Sequence, residues 1–374
     1  MKQQSSLAFV FGRPFLNAAK LQFMPFALST LKKLAENKSQ SIDVYITQTL
    51  TKDYEALLPG NVKVIFLDNK FVWSKGAGVK LYILLNMYFS FLTRKKKYNS
   101  VIGVGQVGVV LGGKLAHRKN AKFICLNDEF PDISYLKVWR ENEKIYTSKA
   151  HTIVLPDESR VDVLKKQINF NSQNHFSVLP NMPLQVDLIG LPNINWQKKL
   201  GISDNSKLIV YNGGIDKENN IDFLLTVFPF TSDEFVLVMV GNGKKYSNNR
   251  YLIHERIIWI NEPLDDDELH SLLKTAICTI AYYADFLDLE YVGKSSGKIM
   301  RSLLVETPVI TTNFDSLKFI EEDHMGVLIT KPFELISAID LIDKNLSQYR
   351  ENIKTNINKY TFEKYWDKMS QAIL

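Results

Sequence analysis

Cysteine is scarce in this 374-residue chain: there are two, Cys125 and Cys278, each inside an apolar strand-like run. They have no metal-ligand spacing, and one pair cannot build a disulfide framework, so a reducing compartment is expected. Long hydrophobic runs are missing as well. The apolar residues near the start, Leu7 to Phe11, stop at Gly12 and are too short for a secretory signal core. The longest apolar stretch, Leu81 to Leu92, is interrupted by Asn86 and Ser90. As a helix it would reach only ~18 Å at ~1.5 Å per residue, short of the ~30 Å hydrocarbon core of a bilayer. The expectation is therefore a cytoplasmic protein without a transmembrane helix. No zinc-finger spacing and no aromatic ribonucleoprotein motif is visible, which argues against a reader of nucleic acid. Low-complexity tracts and sequence-level repeats are absent too.

What is present is an ordinary globular composition, 45% hydrophobic and 23% charged, long enough for about two cores. The net charge of +6 suits anionic partners such as phosphorylated substrates or lipid head groups. Short β-branched runs alternate with amphipathic stretches: LAFVF, IDVYIT, VKVIFL, SVIGV, AKFICL, HTIVL and HFSVL in the first half. Near residue 180 the rhythm breaks in a proline-bearing segment, and a second alternation follows through KLIVYN, FVLVMVG, RIIWI, AICTIA, PVITT and GVLIT. Continuous apolar strands separated by helices predict parallel sheets covered on both faces. The reading is an α/β chain with a domain over 1–182, a linker over 183–204, a second domain over 205–355 and a closing helix over 356–374 that returns toward the first domain.

Several turns carry candidate chemistry. GKSSGK, Gly293 to Lys298, resembles a phosphate loop but is one residue short of a Walker motif. Ile299 stands where the magnesium-binding hydroxyl belongs, so an ATPase is rejected. Ser295, Ser296 and Gly297 still open a helix, which is a start suited either to an anion or to ordinary capping. GVGQVG, Gly103 to Gly108, is a full G-x-G-x-x-G after a strand and before a helix. It supports a dinucleotide site or a tight strand-to-helix turn. Against the dinucleotide, that fingerprint normally follows the first strand of its domain, and here about a hundred residues precede it. NDEFPD, from Asn127, offers Asp128 and Glu129 as a general base, as contacts to a sugar hydroxyl, or as helix caps. FGRPFLNAAK offers Arg13, Asn17 and Lys20 at one sheet edge, either as contacts to a ligand or as solvated loop residues. YNGGIDKENN and VGNGKKY place Gly213, Gly214 and Lys217, then Gly241 and Asn242, after successive strands. The segment Leu81–Lys97 ends in Arg94, Lys95, Lys96 and Lys97, and reads either as a buried helix or as a membrane-interface helix with a basic end.

Together these features resemble the GT-B glycosyltransferases, most closely glycosyltransferase family 4 of bacterial polysaccharide and lipid-linked glycan synthesis. The resemblance is most specific over AYYADFLDLEYVGKSSGKIMRSLLVETPVITT, where Ser296, Gly297 and Lys298 fall on the family's Pro-Asn-Lys and Pro308, Val309 and Ile310 match its Pro-Val-Ile. It implies two Rossmann-like domains with parallel sheets facing a central cleft and a C-terminal crossing helix. It implies a metal-independent hexosyl transfer, without a cofactor, from a nucleotide-diphosphate sugar to a glycan or polyprenyl-linked acceptor, with retention. The product would be capsule, lipopolysaccharide or a similar surface polymer. The donor would meet Gly213, Gly214, Lys217, Gly241, Asn242, Asp285, Glu290, Ser295, Ser296 and Gly297. The acceptor would meet Gly12, Arg13, Asn17 and Gln106. Asp128, Glu129, Lys298 and Arg301 would carry the chemistry. Leu81–Lys97 would give a peripheral contact with anionic lipid on the inner face of the cell membrane.

The departures matter. The family's paired glutamates would fall on Gly293 and Arg301, its diphosphate cations on Gly214 and Asn219, and its first-domain histidine on Asn127. Lys298 and Arg301, three apart on one helix, would replace the lost cations together with Lys217 or Lys294. The alternatives are a catalytically silent partner of another transferase and, further off, an NAD(P)-binding oxidoreductase using Gly103–Gly108.

Overall fold

The computed structural model describes residues 6–12, 24–47, 58–67, 78–130, 136–170, 172–214, 221–241, 254–261, 264–283 and 289–373. The chain folds as two compact units, Met1–Pro183 with Tyr365–Leu374, and Leu184–Lys364.

In the first unit, strands β1 (Ser6–Phe11), β2 (Ser41–Ile46), β3 (Val62–Phe66), β4 (Ser100–Val104), β5 (Lys122–Leu126), β6 (Thr152–Leu155) and β7 (His175–Val178) form one sheet. Its order is β3-β2-β1-β4-β5-β6-β7. The pairing is parallel throughout, for example Leu7 beside Ile42 and Phe11 beside Val104. Helices α1 (Pro25–Ala35), α2 (Val79–Leu92), α3 (Gly105–Lys119), α4 (Lys137–Ser148) and α5 (Arg160–Gln167) connect the strands. The β1 run is apolar at consecutive positions because both faces are covered, and Leu7 to Phe11 are fully buried.

The second unit repeats the plan with β8 (Lys207–Asn212), β9 (Phe235–Val240), β10 (Ile257–Ile260), β11 (Cys278–Ala281), β12 (Val309–Thr312) and β13 (Gly326–Ile329), in the order β10-β9-β8-β11-β12-β13. Its helices are α6 (Trp196–Leu200), α7 (Ile221–Val227), α8 (Asp266–Thr275), α9 (Gly297–Leu304), α10 (Lys318–Glu322), α11 (Glu334–Lys344) and α12 (Leu346–Asn356). Helix α13 (Phe362–Ile373) begins in this unit, and its residues from Tyr365 onward belong to the first. Much of the segment read as a linker is packed: Trp196 is fully buried in the core over β8 and β9, and the half-buried Leu188, Leu191 and Ile194 pack against that core. Its indole Nε1 donates to Ser271 Oγ at 3.2 Å. An aromatic of that size contributes too much buried area to be left on a free connector.

Both sheets reverse strand order beside their first strand, between β1 and β4 and between β8 and β11. In open α/β sheets the crevice at the carboxyl ends of such a pair is where ligands bind. Cys125 and Cys278 are free and buried in the strand cores, and burial pushes both thiols up, so neither is a nucleophile. Among the described residues no helix is long and apolar enough to cross a membrane.

Candidate functional site

In the second unit the site is built on the turn after β8. Gly213 has φ +137°, a region open to glycine and strained for other residues, and its N–H donates to Val240 O at 3.0 Å. The conformation leaves room for Lys298, since a Cβ at Gly213 would lie 2.5 Å from the lysine Cε. Lys298 crosses this turn and donates from Nζ to Tyr211 Oη at 3.0 Å. Its Nζ also lies 4.8 Å from the Tyr211 ring centre and 5.4 Å from that of Tyr283. Tyr211 Oη in turn donates to Gly214 O at 2.8 Å, tying lysine, tyrosine and glycine turn into one network.

The opening of α9 meets the same turn. Ser296 is its N-cap and accepts from Ile299 N–H at 3.2 Å. Ser296 Oγ is also hydrogen-bonded to Tyr283 Oη. Burial pushes the Tyr283 phenol up to about 12, against the pull of the Ser296 hydrogen bond, so it stays protonated. Thr312 Oγ1 accepts from Tyr283 N–H at 2.7 Å and donates to Tyr283 O at 2.8 Å, fixing the tyrosine at the end of β11. Before the cap, Gly293–Ser295 form a 3-10 turn with Gly293 at φ +38°. Ser295 caps back onto Val292 O. Glu290 is exposed, and its carbonyl accepts from Ser316 Oγ at 2.6 Å. Gly241, after β9, also has a positive φ of +151°. Asn212, the last residue of β8, is buried with its Oδ1 unpaired among the described residues. A helix start, a lysine and glycine turns at one switch point form a place for an anion.

Arg301 goes elsewhere. Its guanidinium is buried and Nη1 sits 3.1 Å from Asp266 Oδ1, in the first turn of α8. The expectation that Arg301 shares the phosphate side of α9 with Lys298 does not describe this geometry. Residues three apart on a helix differ by about 60° in direction. The acid-rich start of α8, Asp265 to Glu268, draws the longer side chain across. Beside this pair lies His270, fully buried, with neither ring nitrogen partnered among the described residues. Its pKa is pushed down to about 4, chiefly by burial, with Arg301 acting the same way and Asp266 and Asp187 opposing. The imidazole is therefore neutral at pH 7.

In the first unit, the glycines of GVGQVG serve close packing. A Cβ on Gly108 would sit 2.3 Å from Val10 O, and one on Gly103 would sit 2.7 Å from Gly108 O. Gly105 has φ +66°. The α3 amides of Val107 and Gly108 donate to Gly12 O at 2.9 and 3.2 Å. The groups a pyrophosphate would use are thus held by the chain's own carbonyl, which favours the tight-turn reading over the dinucleotide. Replacing Gly108 by Ala should cost about 3 kcal/mol, because all the atoms it would meet are backbone. A lowered denaturation midpoint in the first unit's transition is expected, and a midpoint unchanged from wild type would refute the packing account.

Gln106 Nε2 donates to Glu143 Oε2 at 2.8 Å. Glu143 is buried on α4, and sequence reasoning missed it. The signal was there: Trp139, Glu143 and Thr147 are spaced by four and form the buried face of α4. Asn127, at the end of β5, is buried with both amide atoms unpaired among the described residues. Asp128 is half-buried and Glu129 exposed beside it. Tyr211 and Tyr283 were also missed, because a tyrosine at a strand end gives no pattern of its own. Arg13, Asn17, Lys217, Asn242 and Asp285 lie outside the described residues.

Residues 193–363 match the family described as Glycosyl transferases group 1. An uncharacterised glycosyltransferase of Methanocaldococcus jannaschii is 23% identical over 189 residues, 48% of this chain and 46% of that protein, so the chain matches about half the length of that relative. Among solved structures, sucrose-phosphate synthase from Thermosynechococcus elongatus aligns with TM-score 0.72 at 13% identity, over 98% of both chains. The Anabaena protein HepE in complex with UDP-glucose gives 0.68 at 10%, also over 98% of both chains. WaaG, a glycosyltransferase involved in lipopolysaccharide biosynthesis, gives 0.67 at 12%, over 98% of this chain and 99% of that one. The fold is GT-B, two Rossmann-like units with parallel sheets of seven and six strands.

Proposed function

We propose that this GT-B chain transfers a hexose or related sugar from a nucleotide diphosphate to a glycan or lipid-linked acceptor in bacterial surface-polymer synthesis, with retention and without a metal. The observation that carries the reading is Lys298, held over the Gly213–Gly214 turn by Tyr211 at the start of α9. As the sugar leaves, negative charge grows on the diphosphate. A lysine and a helix start aimed at that charge before reaction stabilise it without reorganisation. Ser295, Ser296, Gly297 and Gly241 would shape the diphosphate pocket, with Glu290 at its sugar or ribose side. Arg301 then acts from behind, by fixing α9 to α8 through Asp266. In the first unit Gly12, Gln106 with Glu143, and Asp128 with Glu129 would meet the acceptor. A polyprenyl-linked acceptor would place the protein on the inner face of the cell membrane as a peripheral protein.

The test is a thermal-shift panel with UDP, GDP, dTDP, CMP, ADP and NAD. A ligand at a hundred times its dissociation constant stabilises by ~2.7 kcal/mol, which is readily seen. One nucleoside diphosphate should shift the melting temperature, and the base narrows the sugar. A panel with no shift would instead favour a silent partner, and a shift with NAD alone would favour the oxidoreductase.

A further inference from the structure

Helix α2 has two apolar faces, and only one is used. Leu81, Leu85 and Phe89 are buried, and Phe89 meets the Tyr45 ring edge-on at 5.0 Å. Tyr82 donates to Asn142 Oδ1 at 2.7 Å and stacks edge-on to Trp139 at 5.1 Å, which fixes the helix to α4. On the opposite side Val79, Ile83, Met87 and Phe91 are 57, 50, 65 and 75% exposed. Their spacing of four makes them one stripe along the helix. A helix covering an α/β sheet normally turns charged and polar residues outward. This one carries no acidic residue from Val79 to Lys97, has exposed Lys80 at its start, and has exposed Arg94, Lys95 and Lys97 just beyond its end. Lys96 is not part of that collar, since it pairs with Asp43 at 2.9 Å.

We infer that this stripe docks the protein on an anionic lipid surface, with α2 lying in the plane of the interface. The reading deepens the peripheral placement proposed above and rests on it for its biological sense. The charges choose the occupant. A second copy would bring cations against cations whichever way two α2 helices ran, because Lys80 marks one end and Arg94, Lys95 and Lys97 the other. Anionic head groups neutralise both ends while the acyl boundary takes Ile83, Met87 and Phe91. The helix spans ~21 Å at ~1.5 Å per residue, a length that lies on a bilayer and does not cross it.

The experiment is sedimentation of the full chain with phosphatidylcholine vesicles, with and without phosphatidylglycerol, alongside light scattering. Binding should require phosphatidylglycerol and weaken with salt. Lys95→Ala and Lys97→Ala should each weaken it about fivefold, and Phe91→Ser about tenfold. Nucleotide-induced thermal shifts and transfer to a water-soluble acceptor should be unchanged in these variants, so failure of docking is separable from failure of the transferase reading. No sedimentation with either vesicle, or equal binding to both, would overturn the inference. A wild-type dimer that Met87→Glu dissolves would overturn it in favour of a second copy.

Discussion

Lys298→Ala should lower sugar-transfer turnover by about 10²–10³ and abolish the thermal shift given by the nucleoside diphosphate that stabilises the wild type. The size follows from position. Lys298 is the cation held across the Gly213 turn, at the start of α9, with its Nζ 3.0 Å from Tyr211 Oη. Taking it away removes charge stabilisation where the leaving diphosphate forms. It does little to the fold, because Tyr211 keeps its own hydrogen bond to Gly214 O and Ser296 keeps its cap on Ile299. Melting temperature without ligand should therefore change little. Tyr211→Phe separates position from charge: the lysine stays but loses the hydroxyl that aims it, and turnover should fall by less, about tenfold, for one neutral hydrogen bond. If Lys298→Ala turns over at the wild-type rate and still responds to the nucleotide, the diphosphate lies elsewhere and the reading of the opening turn of α9 is wrong.

How far the sequence reached depends on how local each question was. The strand runs are short, apolar and β-branched, and a buried parallel strand needs little else, so the two-sheet plan was legible in LAFVF and FVLVMV. The turn glycines after β8 and β9 were legible too, since Gly213 and Gly241 hold positive φ for a local steric reason. GVGQVG was ambiguous because the same three glycines serve either a phosphate or a close helix, and Gly12, far away in the sequence, decides between them by accepting from Val107 and Gly108. Arg301 could not be read from its spacing to Lys298. Its partner Asp266 comes from a different helix, and no pattern along one helix encodes what packs beside it. For α2 an apolar helix with a basic end was legible from the residues alone. Which residues face inward required the anchoring contacts of Tyr82 and Phe89.

The acid side of the stability profile should be steeper than an ordinary surface would give, and His270 is the reason. Its ordinary value is 6.5, and in the folded protein it is pushed down to about 4. Above 6.5 the imidazole is neutral in both states and contributes no pH dependence. As the pH falls from 6.5 toward 4, the unfolded chain takes up a proton that the native chain refuses. The native state then loses stability until both forms are charged. The full loss is about 3 kcal/mol at ~1.4 kcal/mol per unit. The groups that set the shift are on separate elements: Arg301 on α9 repels the charged form, while Asp266 on α8 and Asp187 before Trp196 favour it, and burial outweighs both acids. His270→Leu keeps the volume and removes two buried nitrogens that have no partner among the described residues. It should be neutral or slightly stabilising at pH 7, since an unpaired buried polar atom is itself a cost. Its denaturant midpoint should then fall less than that of the wild type between pH 6.5 and 4. Arg301→Met should raise the His270 pKa by removing the repelling charge, and so flatten the same window from the other side. Identical acid profiles for wild type and His270→Leu would mean that the histidine is protonated or solvated in the native protein.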